Sequence, residues 1–360
     1  MAGSAAPRRP LILASSRSEP DALAQIQAGT RPRLDYLSLA EALGGEVLDT
    51  RAGESLPAWQ RRVERALSSD VGQARTAWRR RGLYGAWLST SERVGLPLAL
   101  LAGGRRESPP HVLIAHNLAS ANKRRLHRLM GVLRWGFSAI ICLSRVQQAF
   151  LLEEVGLPPD RVYHIPHNVD TRFFRPGLGC EGEGDYVLAV GREGRDYATL
   201  IEVARLVGQP LTIVASSLWA LRGGVVEDAG LPPNVTVRRE FLSYTALRAL
   251  YAGARLVVVP LHECPYAAGS TGLLEAMAMG RPVVVTRTQG LEDYLADSNT
   301  HRAVPPADAP ALADAIRALW NDAAARAAMA RAARAAVEAE MDVERYVAHV
   351  AAVVRRAMEE

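Results

Sequence analysis

The sequence predicts an α/β protein built from two doubly wound parallel-sheet halves, on three observations. Short apolar runs alternate with segments of helical periodicity along the chain. The alternation breaks once, across "NVDTRFFRPGLGCEGEGD" (168–185), rich in Gly, Pro and charge, and then restarts. A chain of 360 residues also exceeds what one hydrophobic core usually holds. The expected boundaries are 1–170 for a first Rossmann-like domain, 171–185 for a linker, 186–340 for a second Rossmann-like domain and 341–360 for a last helix.

In the first half "LILASS" (11–16) reads as a buried strand. "DYLSLAEALGG" (35–45) has helical spacing with a Gly-Gly stop, and "EVLDT" (46–50) is a short strand. Residues 55–81 read as an Arg-rich helix. "GAWLST" (85–90), "HVLIAH" (111–116) and "AIICLS" (139–144) are further strands, and "GLPLALLAG" (95–103) is a buried element. Residues 145–167 give a helix, a Gly-Leu-Pro-Pro stop and a strand. In the second half, strands are expected at 186–191, 210–216, 234–241, 255–261 and 282–286. Helices are expected at 196–208, 243–254, 308–320 and through the Ala/Arg-rich 322–358. Open parallel sheets bind ligands at their carboxyl edges, so a linked pair of them would offer a cleft lined by those edges.

Composition narrows the function classes. Half the residues are apolar and 22% are charged, an ordinary globular balance rather than a disordered one. Net charge is +5, carried by Arg, which suits phosphate-bearing ligands; a merely basic surface explains it better than nucleic-acid binding. Cys142, Cys180 and Cys264 are odd in number and far apart, which argues against a zinc site or disulfide framework and for a reducing cytosol. The apolar run at 11–14 is too short for a signal peptide, and no run approaches a membrane span.

Two strand-to-helix turns in the second half carry chemistry. "AAGSTGLLEAMAMGRPVVVT" (267–286) opens a helix with Gly269, Ser270 and Thr271, so unpaired amides and the helix dipole would face an anion, with Ser270 or Thr271 as cap. Glu275 lies four residues after Thr271 on the same helix face, about 6 Å along. A diphosphate on those amides would bring an attached ribose to this carboxylate. The bland alternative is a cap and a carboxylate complementing the dipole. "VGREGRDYATL" (190–200) adds Gly191 with Arg192 and Arg195, which would clamp a diphosphate; the alternative is a solvated turn paired to Glu193 or Asp196.

Together these stretches resemble the retaining GT-B glycosyltransferases of the family-4, group 1 type. "HNVDTRFFRP" (167–176) is similar to that family's interdomain segment. "GREGRDYATLIEVA" (191–204) is similar to its diphosphate turn, with Arg195 where Lys is usual. "GLLEAMAMGRPVVVT" (272–286) is similar to its ribose motif, followed by "QGLEDYL" (289–295). The resemblance implies a GT-B fold whose last helix crosses back onto the first domain. It also implies a hexosyltransferase-type enzyme moving a sugar from a nucleotide-diphosphate donor such as a UDP- or GDP-sugar. Arg192 and Arg195, with Gly269, Ser270 and Thr271, would bind the diphosphate, and Glu275 the ribose. "LIAHNLAS" (113–120) is similar to the family's strand-end His segment, so His116 would face the donor sugar, with Asn117 beside it. Where the family carries a second Glu, eight positions before the ribose Glu, this chain has Ala267, with Glu263 nearby as a substitute from the loop. The family's Gly-Gly turn after the first strand is replaced by "SSRSEP" (15–20), which makes Ser15, Ser16 and Arg17 candidates for acceptor or diphosphate contact.

No DxD-like acidic pair lies beside a candidate diphosphate turn, which favours metal independence, and no cofactor is expected. The acceptor would be a glycan, a lipid-linked molecule or a small molecule. "NKRRLHRLMGVLRWG" (122–136) is either an ordinary amphipathic helix or a peripheral contact with the inner face of an anionic membrane. The base pocket is expected near 215–219 and 239–241. Competing readings are a catalytically inactive sugar-nucleotide-binding protein and an epimerase of the same fold, which would need an acid/base carboxylate pair. A phosphorylase would need a lysine in 181–360, which holds none, and a nicotinamide enzyme would need a GxGxxG turn directly after a strand, where none is expected.

Overall fold

The computed structural model describes residues 9–17, 19–54, 56–57, 60, 62, 64, 66, 69–103, 105, 107–119, 131–178, 184–215 and 230–359. Two compact units emerge. The first comprises 1–22, 33–165 and 344–360, and the second 23–32 and 166–343.

The first unit holds a parallel sheet of β1 (Pro10–Leu13), β2 (Glu46–Leu48), β3 (Ala86–Ser89), β4 (His111–Ala115), β5 (Ala139–Cys142) and β6 (Val162–His164), in the order β2-β1-β3-β4-β5-β6. The strands β1, β3, β4 and β5 are buried throughout, as expected for a parallel sheet covered on both faces. Helices Asp35–Leu43, Val71–Arg79 and Glu92–Ala102 carry the chain between strands. Gly44 closes the first of them in the left-handed region (φ 59°), where glycine is at no steric disadvantage. The buried 95–103 stretch proves to be the body of Glu92–Ala102, although Pro97 sits inside it. Proline leaves the carbonyl four residues earlier without a helical donor. That carbonyl, of Arg93, accepts instead from the Asp70 amide at 2.9 Å, and the Arg93 side chain pairs with the Asp70 carboxylate at 3.0 Å.

The core of this unit contains one ionisable group with a measurable consequence. His111, buried at the start of β4, lies 2.8 Å from the Ser89 hydroxyl and packs against Trp87 and Phe137. Burial lowers its pKa to about 3. Because the folded value lies below the unfolded one, stability is intact above pH 6.5. It is lost as pH falls towards 3, by roughly 1.4 kcal/mol per unit. The melting temperature should fall less between pH 7.5 and 5 in His111→Gln than in the wild type; equal falls would show that His111 is not the acid-sensitive group.

The second unit holds β7 (Val187–Val190), β8 (Leu211–Val214), β9 (Val235–Arg238), β10 (Leu256–Val259), β11 (Val283–Thr286) and β12 (Arg302–Val304), all parallel, in the order β12-β11-β10-β7-β8-β9. The β12 strand has no counterpart in the sequence reading. It is three residues long and pairs only with β11 at the sheet edge, too short to show a period of two. Helices Tyr197–Val207 and Ala309–Asn321 pack on one face against Val187, Ala189, Leu256, Val258 and Val284. Asp196, Ser243, Asp308 and Asp322 each cap a helix through a side-chain oxygen. The Ala/Arg-rich end forms two helices, Ala323–Glu340 and Val343–Glu359. At the break between them the Asp342 carboxylate accepts from the Thr171 amide at 3.2 Å. No helix of the described residues is long and apolar enough to cross a membrane.

In each sheet the strand order reverses once. Successive crossovers leave on opposite sides of that point, and the loops there part to form a crevice. In the second unit the reversal lies between β7 and β10, and in the first between β1 and β3.

Candidate active site

The second-unit crevice is flanked by the turn after β7 and the loop after β10. The two are stitched together. The Asp196 amide donates to the Pro260 carbonyl at 3.1 Å, the His262 amide donates to the Gly194 carbonyl at 3.0 Å, and Arg195 bridges to Leu261. Arg195 is buried. Its Nε donates to the Val190 carbonyl and its Nη1 to the Glu193 carbonyl, each at 3.0 Å. It makes no ion pair with Glu193 or Asp196, because Asp196 is occupied capping its own helix through the Thr199 amide. The remaining nitrogen, Nη2, makes no hydrogen bond among the described residues. It lies 3.4 Å from where a Cβ on Gly272 would stand.

Gly191 makes this geometry possible. Its φ of 113° is one that side-chain-bearing residues rarely adopt, and a Cβ there would collide with the Arg195 guanidinium. Gly191→Ala is expected to weaken nucleoside diphosphate binding at least about tenfold, with the far-UV circular dichroism unchanged. Wild-type affinity by calorimetry would refute the placement.

The helix Ser270–Ala278 begins directly beside this guanidinium. Its cap corrects the sequence reading. Gly269, at φ 86°, is the N-cap, and neither Ser270 nor Thr271 caps with its side chain. The Ser270 hydroxyl turns back to the Ala267 carbonyl at 2.8 Å, and the Ser270 amide also donates there. The Thr271 and Gly272 amides find no acceptor among the described residues, which leaves two donors at the positive end of the helix dipole. Glu275, one turn on, is partly buried, and its Oε2 accepts from the Tyr251 hydroxyl at 2.8 Å. Burial pushes its carboxyl up to about 7, while the Tyr251 hydrogen bond and the Arg195 charge work against that rise. A guanidinium, two open amides and a carboxylate thus line one crevice, complementary to an anion joined to a hydroxyl-bearing group.

Residues 186–322 match the family described as glycosyl transferases group 1. That match lies within the second unit, and together with the relatives below it supports a glycosyltransferase. It is 28% identical over 329 residues to a D-inositol 3-phosphate glycosyltransferase of Frankia alni, an alignment spanning 78% of this chain and 76% of that one. Its fold is similar to a sucrose-phosphate synthase of Thermosynechococcus elongatus (TM-score 0.72, 20% identity, 98% and 100% of the two chains). It is also similar to Anabaena HepE in complex with UDP and glucose (TM-score 0.70, 16% identity, 97% and 99%). These neighbours confirm the GT-B architecture, two Rossmann-like domains.

The glycosyltransferase places its other sequence candidates unevenly. Arg192 shares the turn with Arg195, partly exposed and without a hydrogen bond or ion pair among the described residues. Glu263 is exposed and accepts from the Gln289 amide at 3.0 Å, so it braces the loop. Ala267 is buried. Of the expected base pocket, residues 216–219 lie outside the described residues, and Arg239, Glu240 and Phe241 are exposed after β9.

In the first unit, Ser15 follows β1 and His116 and Asn117 follow β4. The His116 Nε2 lies 2.9 Å from the Thr90 carbonyl, so this nitrogen carries the proton. Thr90 Oγ1 accepts from the Ser15 amide at 3.1 Å, joining the loops on either side of the sheet reversal. The Ser15 hydroxyl and the Asn117 Oδ1 are buried without a partner among the described residues. Ser16 is half-buried, and Arg17 is exposed in an ion pair with Glu54.

Sequence reasoning missed the residues that hold this turn. The buried Glu92 accepts from the His116 amide at 3.1 Å and the Asn117 amide at 2.7 Å. Gln147 accepts from the Leu118 amide and donates to the His116 carbonyl. Burial pushes the Asp35 carboxyl up, while its hydrogen bond from the Tyr36 amide and the nearby His116 work against that rise. In the sequence Tyr251 is simply one residue of the expected helix 243–254. Each lies on an element distant in sequence from its partner, and no local pattern marks it.

Proposed function

We propose that this glycosyltransferase moves a sugar from a nucleotide-diphosphate donor to an acceptor hydroxyl, with retention at the anomeric carbon and without a required metal. The observation that carries the donor assignment is the Arg195 guanidinium beside the open amides of Thr271 and Gly272, one helical turn from Glu275. The complex of Anabaena HepE with UDP and glucose supports a nucleotide donor. As the bond from the anomeric carbon to the diphosphate oxygen breaks, negative charge grows on the diphosphate. Arg195, Arg192 and the helix N-terminus stabilise it, charge compensation that would otherwise fall to a divalent ion. The acceptor oxygen bonds the anomeric carbon from the same face, and its proton passes to the departing phosphate oxygen, so no protein nucleophile is required. Glu275 would accept hydrogen bonds from the ribose hydroxyls. His116 is assigned to the donor sugar, and Ser15 and Asn117 to the donor sugar or the acceptor, on their oriented or unpartnered polar atoms.

One observation favours a second reading, a sugar-nucleotide binder without turnover. Ala267 stands where the resembled family carries a carboxylate, and Glu263 is engaged with the Gln289 amide. Incubation with UDP-, GDP-, ADP- and dTDP-sugars in EDTA separates the two readings. The acceptor set should include inositol 3-phosphate, glycans and lipid-linked sugars. Acceptor-dependent release of nucleoside diphosphate supports transfer, and binding without release supports the binder. Residues 122–130 of the basic segment lie outside the described residues, whereas Trp135 near its end is 79% exposed. Co-sedimentation with anionic liposomes, lost at high salt, would support the peripheral membrane contact.

A further inference from the structure

We infer that Tyr251 is a positioning residue for donor recognition: its hydroxyl, bonded to Glu275 Oε2, orients the carboxylate so that Oε1 meets the hydroxyls of a nucleoside ribose. The inference rests on the reading of Glu275 as the ribose ligand. Tyr251 is fully buried in the helix Tyr244–Gly253, with its ring edge-on to Phe174 at 6.2 Å between centroids. A buried phenol must find an acceptor, and this one finds Glu275 at 2.8 Å. The hydroxyl lies 3.7 Å from where a Cβ on Gly272 would stand, so it reaches the same helix turn that offers the open amides.

The terminal torsion of a glutamate is broad, and an unanchored carboxylate has no fixed lone-pair direction. Tethering Oε2 removes that freedom before the ligand arrives. Oε1 makes no hydrogen bond among the described residues and remains available. The groups facing this carboxylate are Tyr251 from the helix Tyr244–Gly253 and Arg195 from the turn after β7, with Tyr197 acting on the Tyr251 phenol. Burial favours the protonated carboxyl, while the phenol and the guanidinium favour the ionised form that ribose hydroxyls require. Tyr251 therefore fixes the direction of the carboxylate and, against the dominant effect of burial, lowers the pH at which it becomes competent.

The test is calorimetric titration of UDP, with GDP and ADP in parallel, between pH 6 and 8.5. It compares wild type, Tyr251→Phe, Glu275→Gln and the double variant, with inorganic pyrophosphate as a second ligand. Phenylalanine keeps the ring packing and removes only the hydroxyl. Tyr251→Phe is expected to weaken nucleotide binding about tenfold at pH 7 and to move the acid limb of affinity up by about one pH unit, the effect of one hydrogen bond to a charged group. Pyrophosphate affinity should stay within about twofold, because a hydroxyl aimed at the ribose carboxylate does not touch the anion. In the Glu275→Gln background the substitution should add nothing. Unchanged nucleotide affinity and pH limb in Tyr251→Phe would overturn the inference. Equal losses for nucleotide and pyrophosphate, or a loss that persists beside Glu275→Gln, would show a merely structural role. If none of the three nucleotides binds the wild type, the donor-site reading itself falls, and this inference with it.

Discussion

Arg195→Ala lowers kcat/KM for the nucleotide-sugar by an expected two to three orders of magnitude, roughly the loss seen when one preorganised donor to a developing oxyanion is removed. The reason lies in how the guanidinium is held. Two of its nitrogens are committed to the carbonyls of Val190 and Glu193, and the third is left beside the first turn of the helix Ser270–Ala278. The charge is therefore oriented before the donor binds, and no reorganisation is needed as the leaving group departs. The same bonds mean that alanine also strands two carbonyls, at about 1–2 kcal/mol of stability. Arg195→Lys keeps the charge and loses the fork, so a smaller fall in turnover with a comparable melting temperature is expected. Arg192→Ala should reduce turnover with no change in melting temperature, because that side chain makes no hydrogen bond or ion pair among the described residues. The check is the initial rate of nucleoside diphosphate release beside thermal melting. Wild-type kcat/KM in Arg195→Ala would sink the diphosphate assignment.

Glu275→Ala raises KM for the donor by an expected 10- to 100-fold, the loss of hydrogen bonds to a charged acceptor. The pH dependence follows from the carboxyl lying at about 7, where burial has raised it. Nucleotide affinity should climb as pH rises through 7, and Glu275→Gln should flatten that climb. Stability moves the opposite way. A carboxyl whose folded pKa lies above the ordinary value of 4.5 favours the fold below that pH, and this favour is lost as pH rises through 7. Glu275→Gln should therefore melt above the wild type at pH 8 while binding nucleotide less well. Such a trade of stability for function is expected at a ligand site and not at a purely structural one. Lower melting of Glu275→Gln at pH 8 would argue that the carboxylate serves the fold.

Much of this protein is legible along the chain because its cues are local. The sheet strands "LILA", "AIIC" and "PVVVT" are continuous apolar runs, and a strand buried on both faces needs no alternation to be recognised. Arg195 and Glu275 stand at strand-to-helix turns, which in parallel sheets lie at one edge whatever the strand order. Their chemistry could thus be read before any packing was known. The cap of Ser270–Ala278 was misassigned for a local reason as well. Serine and threonine are good caps by propensity, but Gly269 takes a left-handed conformation and turns the Ser270 hydroxyl back to Ala267.

What the sequence determined by itself is the inventory: the elements, their α/β alternation, and the charged and small residues at the strand-to-helix turns that are proposed to hold the donor. Each of these depends on neighbours within a few positions. Only the tertiary structure decided which strands lie together, so only it located the strand-order reversals between β7 and β10 and between β1 and β3. Only it assigned residues 23–32 to the second unit and 344–360 to the first. It alone supplied Tyr251 for Glu275, and Glu92 and Gln147 for the His116 turn, partners 24 to 31 positions away. The physical reason is that a buried polar group must find its partner in space, and burial brings together residues that no sequence period connects.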